Sequence, residues 1–149
     1  MGFSWLGLAV SVSMMLPNLL LLVLPPRPPV PRVSVSAPLS WTERLGQALC
    51  VAVPVCTAPG SIAVGWGVVL GVAVLGYWLL WARYARHRTP FALFGRVWGV
   101  PVPMAVLPVV AFLSTGLFLG AFWICAAAVV LAIGHIPISL QRARALALA

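Results

Sequence analysis

The chain has 149 residues, of which 63% are hydrophobic and 7% charged, and nine arginines against one acidic residue give it a formal net charge of +8. Soluble domains carry about 25% charged residues, and a soluble protein of this length could not bury so much apolar surface, so most of the chain is expected to lie in lipid. The charge does not announce a nucleic-acid partner: every arginine stands at or near the end of an apolar run, where membrane orientation signals lie, and no nucleic-acid-binding module is recognisable.

Phe3–Leu24 is 22 residues without a charge. As a helix it would be about 33 Å long, enough to cross a bilayer. Val33–Ala37 (V-S-V-S-A) has the small residues of a signal-cleavage site. The segment before the apolar run has no positive charge, however, and Arg27 and Arg32 follow it. That balance predicts a retained helix with its N-terminus outside. Pro25–Pro38 holds six prolines, which predicts an extended, polyproline-like connector, placed on the cytoplasmic side over 25–41.

Thr42–Ala58 is short for a span, opens with Glu43 and Arg44 and contains Pro54. It reads either as a second crossing or as a re-entrant segment. Ile62–Tyr84 is 23 residues whose only charge is Arg83, at its end. A basic cytoplasmic loop, 85–96, follows. Val97–Gln141 is 45 residues without a charge, far too long for one crossing. Glycines and hydroxyls cluster at Ser114–Gly120, so the break is placed there, giving helices over about 97–113 and 118–140.

Charge placement decides between these alternatives. The stretch Trp81–Arg96 alone holds Arg83, Arg86, Arg88 and Arg96. With five crossings and an outside N-terminus, all nine arginines fall on the cytoplasmic side. A re-entrant Thr42–Ala58 would put the first two arginine groups on opposite faces. A single crossing by Val97–Gln141 would strand Arg142 and Arg144 outside. The expected fold is therefore an all-α integral membrane protein of the cell membrane. It is a single multi-pass domain, a compact bundle of five transmembrane helices, N-terminus outside and C-terminus cytoplasmic. Six of the tryptophans lie toward helix ends, as interfacial belts do. Ser61-x-x-x-Gly65, Gly67-x-x-x-Gly71 and Gly116-x-x-x-Gly120 are spaced for close helix packing.

Catalytic constellations are missing. Glu43 is the single carboxylate side chain, so no acid–base pair of carboxylates can form. No phosphate loop, H-E-x-x-H, G-x-S-x-G or lysine is present. Cys50, Cys56 and Cys125 lack metal-ligand spacing and read as apolar packing residues. No cofactor or metal is expected, and the balance is against an enzyme.

The depth of the polar side chains carries more information. Asn18, Glu43, Arg44, Gln47, Tyr84, Arg96 and His135 all fall within about 10 Å of the expected cytoplasmic boundary at 1.5 Å per residue. Each expected helix contributes one or more of them. Polar groups in lipid need partners, so this layer is either a structural hydrogen-bond network or a cytosol-facing vestibule for a small solute or headgroup. Pro17, Pro54 and Pro108 are the candidate helix kinks. The vestibule points to a solute transporter or channel subunit. An accessory or assembly subunit and a lipid-modifying enzyme are the competing functions. Expected partners are membrane lipids and a homo-oligomer or larger membrane complex.

Overall fold

The computed structural model describes residues 2–148, which contain helices and turns but no strand. The elements are α1 (Trp5–Met15), a 3-10 turn (Leu16–Leu19), α2 (Leu20–Val23), α3 (Ala37–Val55), α4 (Gly65–His87), α5 (Pro90–Phe94), α6 (Pro103–Phe118) and α7 (Phe122–Ala147). Three helical stretches are long and apolar enough to cross a membrane: Trp5–Val23, Gly65–His87 and Phe122–Ala147. Pro103–Phe118 is apolar but shorter, and α3 is diluted by Glu43, Arg44 and Gln47. Leu22, Val68, Val72, Leu75, Phe122 and Trp123 are exposed on the outside of the bundle, the surface of a membrane protein.

Helix boundaries differ from the sequence expectation where prolines act. α3 begins at Ala37, not Thr42, because Pro38 sits in its first turn, where a fixed φ suits a helix and no N–H is missed. α6 begins at Pro103, not Val97. Gly99 and Pro101 hold residues 97–102 in a tight turn, with Val97 and Val100 exchanging backbone hydrogen bonds. The break after α6 falls at Leu119–Ala121, later than Ser114, with Gly120 at φ +59°. α7 continues past Gln141 to Ala147 because its tail is built of alanine, leucine and arginine, strong helix formers.

The long segments alternate in direction. At one end the chain before α1 donates to the end of α3, Ser4 N to Val55 O at 3.0 Å. At the same end the loop before α4 donates to the α6–α7 turn, Gly60 N to Leu119 O at 2.8 Å and Ala63 N to Phe118 O at 3.0 Å. At the other end the proline-rich connector is pinned to α4. Tyr84 Oη donates to Leu24 O at 2.6 Å, and Arg27 N donates to Arg88 O at 2.7 Å. Arg142 lies over the Phe94 ring at that end. This second end is the arginine-rich one.

Two crossings set the packing around the polar layer. α3 meets α7 through a reciprocal pair of glycines. A β-carbon on Gly46 would strike the backbone of Leu131, and one on Gly134 would strike the backbone of Glu43. α1 meets α3 where Gly7 lies against the Pro54 carbonyl. Pro54 cannot donate to the Cys50 carbonyl, and Ser11 Oγ donates to it instead at 3.2 Å, also reaching Val51 O at 3.3 Å. The expected glycine face of α4 is not used inside the chain: nothing lies near Gly65 or Gly71, and Gly67 meets only the Phe118 ring. Gly116 does pack closely, against Cys125.

Candidate functional site

Near the arginine-rich end a cavity of about 290 Å³ lies between the helices. Asn18, Glu43, Gln47 and His135 line it. Four of the seven residues expected in the polar layer are thus brought together. α4 adds Tyr77 and Trp81 to the wall, and α7 adds Ser139 and Arg142. Leu93, Phe94, Met104 and Ala105, from α5 and α6, supply an apolar side. A second hollow of about 210 Å³ adjoins it, sharing Asn18, Gln47, Tyr77 and His135 and continuing past Met14, Cys50 and Phe112.

Helical spacing accounts for the lining. Glu43 and Gln47 are one turn apart on α3, and Tyr77 and Trp81 one turn apart on α4. On α7, His135, Ser139 and Arg142 follow the i, i+4, i+7 row of one face.

The centre of the site is a bond between His135 Nδ1 and Glu43 Oε1 at 2.7 Å. The two side chains are 24% and 14% exposed, so the contact is largely withdrawn from bulk solvent. An ionised carboxylate only accepts, so Nδ1 carries the proton and donates. The Gly134–Glu43 backbone contact holds the pair: His135 follows the glycine that lets α3 approach α7.

Asn18 lies in the 3-10 turn, next to Pro17. Its Nδ2 donates to the Met14 carbonyl at 2.8 Å and to Tyr77 Oη at 3.2 Å. Tyr77 Oη donates to the same Met14 carbonyl at 3.3 Å. Beside them, Trp78 Nε1 donates to Ser13 Oγ at 2.9 Å on the exposed side. These bonds stitch α1 to α4 beside the cavity. Met14, the residue whose carbonyl they share, itself lines the second hollow.

The other three expected residues stand apart. Tyr84 is fully buried on the connector side, bonded to Leu24 O. Arg44 is exposed and lies over the Trp41 ring, 5.6 Å from its centroid. Arg96 is exposed, its Nε donating to Gly99 O at 2.9 Å. Arg44 points away from the cavity on α3, Tyr84 shares the Tyr77–Trp81 face of α4 but lies a turn beyond the cavity, and Arg96 lies in the loop between α5 and α6. Of the candidate kinks, Pro17 lies in the 3-10 turn, while Pro54 and Pro108 are buried within α3 and α6. Tyr77, Trp81, Ser139 and Arg142 were missed by depth alone. Their signal in the sequence was the one-turn spacing from Tyr84 back through Trp81 to Tyr77, and from His135 forward to Arg142.

Two features limit the chemistry. Among the described residues no group of three metal-ligating side chains comes together. The cavity has one carboxylate and one imidazole, enough to hold and pass a proton. Comparison with family models, with curated proteins and with solved structures found no match to this chain. The fold and cavity therefore define only a class, a small all-helical membrane protein with a polar site between its helices.

Proposed function

We propose that the protein is a solute transporter or channel subunit of the cell membrane, with five crossings and the polar cavity open to the cytoplasm. The observation that carries this reading is the Glu43–His135 bond in the wall of a solvent-sized cavity. The chain has no other acidic side chain, and an ionisable pair is costly in lipid unless it faces water or a ligand. The five-crossing arrangement draws support from the alternating direction of the segments, with Arg27, Arg88 and Arg142 at one end. The positive-inside rule makes that end cytoplasmic. α3 crosses in contact with α1 and α7, and its Glu43 and Gln47 line the cavity.

Reconstitution in proteoliposomes tests the function. A panel of small solutes should include one whose flux exceeds that of empty liposomes and drops with Glu43→Gln. Flux at the empty-liposome level across the panel would reject the transport reading.

A second reading is an accessory subunit that docks on a larger membrane complex or on further copies of itself. The open space beside Gly65 and Gly71 on α4 favours it, since small residues accept a close partner helix in lipid. Crosslinking and purification from native membranes would recover a different, stoichiometric partner protein under the accessory reading, and the chain alone or with copies of itself under a self-contained carrier.

A further inference from the structure

Resting on the membrane orientation of the transporter reading, we infer that the cavity and the hollow beside it take one phospholipid of the cytoplasmic leaflet, with its phosphate at Arg142 and one acyl chain between α1 and α3. The two spaces meet at Asn18, Gln47, Tyr77 and His135, which line both. Past these residues the walls of the hollow turn apolar, with Met14, Phe112 and Leu131. The hollow also reaches the outside of the bundle. α1 and α3 touch where Ser11 bonds the Cys50 carbonyl. Beyond that contact the hollow has Met15 of α1 and Val51 of α3 on its wall, and these are 48% and 37% exposed. Apolar side chains exposed at this depth face acyl chains, so the hollow opens sideways onto lipid. A water-soluble solute would fill only the polar cavity, whereas an amphiphile fits both spaces.

Polarity runs the same way along three helices. On α7 the lining passes from Arg142 through Ser139 and His135 to Leu131. On α3 it passes from Glu43 and Gln47 to Cys50 and Val51, and on α1 from Asn18 to Met15 and Met14. Each series is polar at the arginine-rich end and apolar deeper in. Arg142 and Leu131 are separated by about 16 Å of helix at 1.5 Å per residue. That matches one leaflet, half of the ~30 Å hydrocarbon core. A phospholipid has the same order over the same length: phosphate, glycerol with its esters, acyl chain. Arg142 has no carboxylate partner among the described residues, and a guanidinium holds a phosphate through paired N–H bonds. Glu43 is bonded to His135 and does not take that place. The Gln47 amide offers both a donor and an acceptor at the level of the glycerol.

The test is photo-crosslinking of the full chain in nanodiscs by lysophosphatidylglycerol with a diazirine in mid-chain, the adducts being mapped by mass spectrometry. Adducts should concentrate at Met14, Met15 and Val51, well above those at Val68 and Val72 on the exposed face of α4. Arg142→Gln should lower the adducts between α1 and α3 about tenfold, as expected for loss of a charged hydrogen bond. Arg142→Lys should restore part of them, and the α4 adducts should not change in either variant. Val51→Trp, at the half-exposed mouth of the hollow, should lower them too. Unlabelled lysophosphatidylglycerol should compete. Glycerol 3-phosphate, a head without a chain, and oleyl alcohol, a chain without a phosphate, should compete far more weakly. Adducts spread evenly over the outer helix faces, or unchanged by Arg142→Gln, would overturn the inference, as would equal competition by either fragment. Solute flux in proteoliposomes separates this site from the transporter reading. Flux that drops with Glu43→Gln, without adducts between α1 and α3, would remove the lipid site and leave transport standing. Adducts there without flux would do the reverse.

Discussion

Gly134 touches the backbone of Glu43 with no room for a β-carbon between them. The next residue, His135, reaches the Glu43 carboxylate at 2.7 Å. One close helix approach thus builds the ion-pair contact of the chain's single acidic side chain. Gly46 repeats the approach against Leu131 a turn away. The two glycines fix both the separation of α3 and α7 and the geometry of the pair.

Replacing Gly134 with alanine should force the helices apart. Overpacking at a backbone contact costs about 1–3 kcal/mol, so a clear drop in thermal unfolding temperature in detergent is expected. Gly71→Ala is the control. Open space surrounds that position, and alanine's better helix propensity should leave stability unchanged or slightly higher.

Ser11 compensates for Pro54. Ser11→Ala should destabilise the protein by about 0.5–1.5 kcal/mol, the net worth of a hydrogen bond. Pro54→Ala restores a backbone donor for Cys50 O, so Ser11→Ala should cost markedly less in that background. A double-mutant cycle by chemical or thermal unfolding measures the coupling, and strict additivity would remove Ser11 from this role.

The Asn18–Tyr77–Met14 knot should behave as a unit. Tyr77→Phe removes the hydroxyl that receives from Asn18 and donates to Met14 O. A loss of about 1 kcal/mol is expected, and Asn18→Ala should add less to it than it costs alone. Unfolding measurements on the two single variants and the double variant decide this.

Orientation has its own test. A reporter fused after Ala149 should read cytoplasmic, and one inserted at Gly60 should read external. A cytoplasmic signal at both positions would break the alternation of crossings.

Much of the architecture could be read from the sequence because lipid imposes simple rules. Uncharged runs longer than a bilayer had to be helices, and the prolines of residues 25–31 had to be a connector, although Pro38 opens α3 instead. Four of the polar residues chosen for their depth, Asn18, Glu43, Gln47 and His135, do line one cavity. Helical phase could not be read. Arg44 turns toward Trp41, while Tyr84 keeps the face of Tyr77 and Trp81 but lies beyond the cavity against the connector, and Arg96 lies in a loop bonded to Gly99. Phase depends on which faces meet, and in lipid every face of a helix is apolar, so the usual amphipathic cue is weak. The glycine stripe of α4 drew attention because it is long, while the contacts that matter use single glycines, Gly46 and Gly134, on different helices. Thr42, Gly46 and Cys50 do form a small-residue row on α3, a cue that Glu43 and Arg44 obscured.

Access to the cavity tests the central claim without knowledge of the solute. In a cysteine-free background, Gln47→Cys places a thiol on the wall of both hollows. A thiol reacts with maleimide only as thiolate, which requires water. With oriented membrane vesicles, a membrane-impermeant maleimide should label this thiol from the cytoplasmic side and leave it untouched from the outside. A thiol that stays unreactive from both sides, or reacts only from outside, would contradict a cytosol-facing polar cavity.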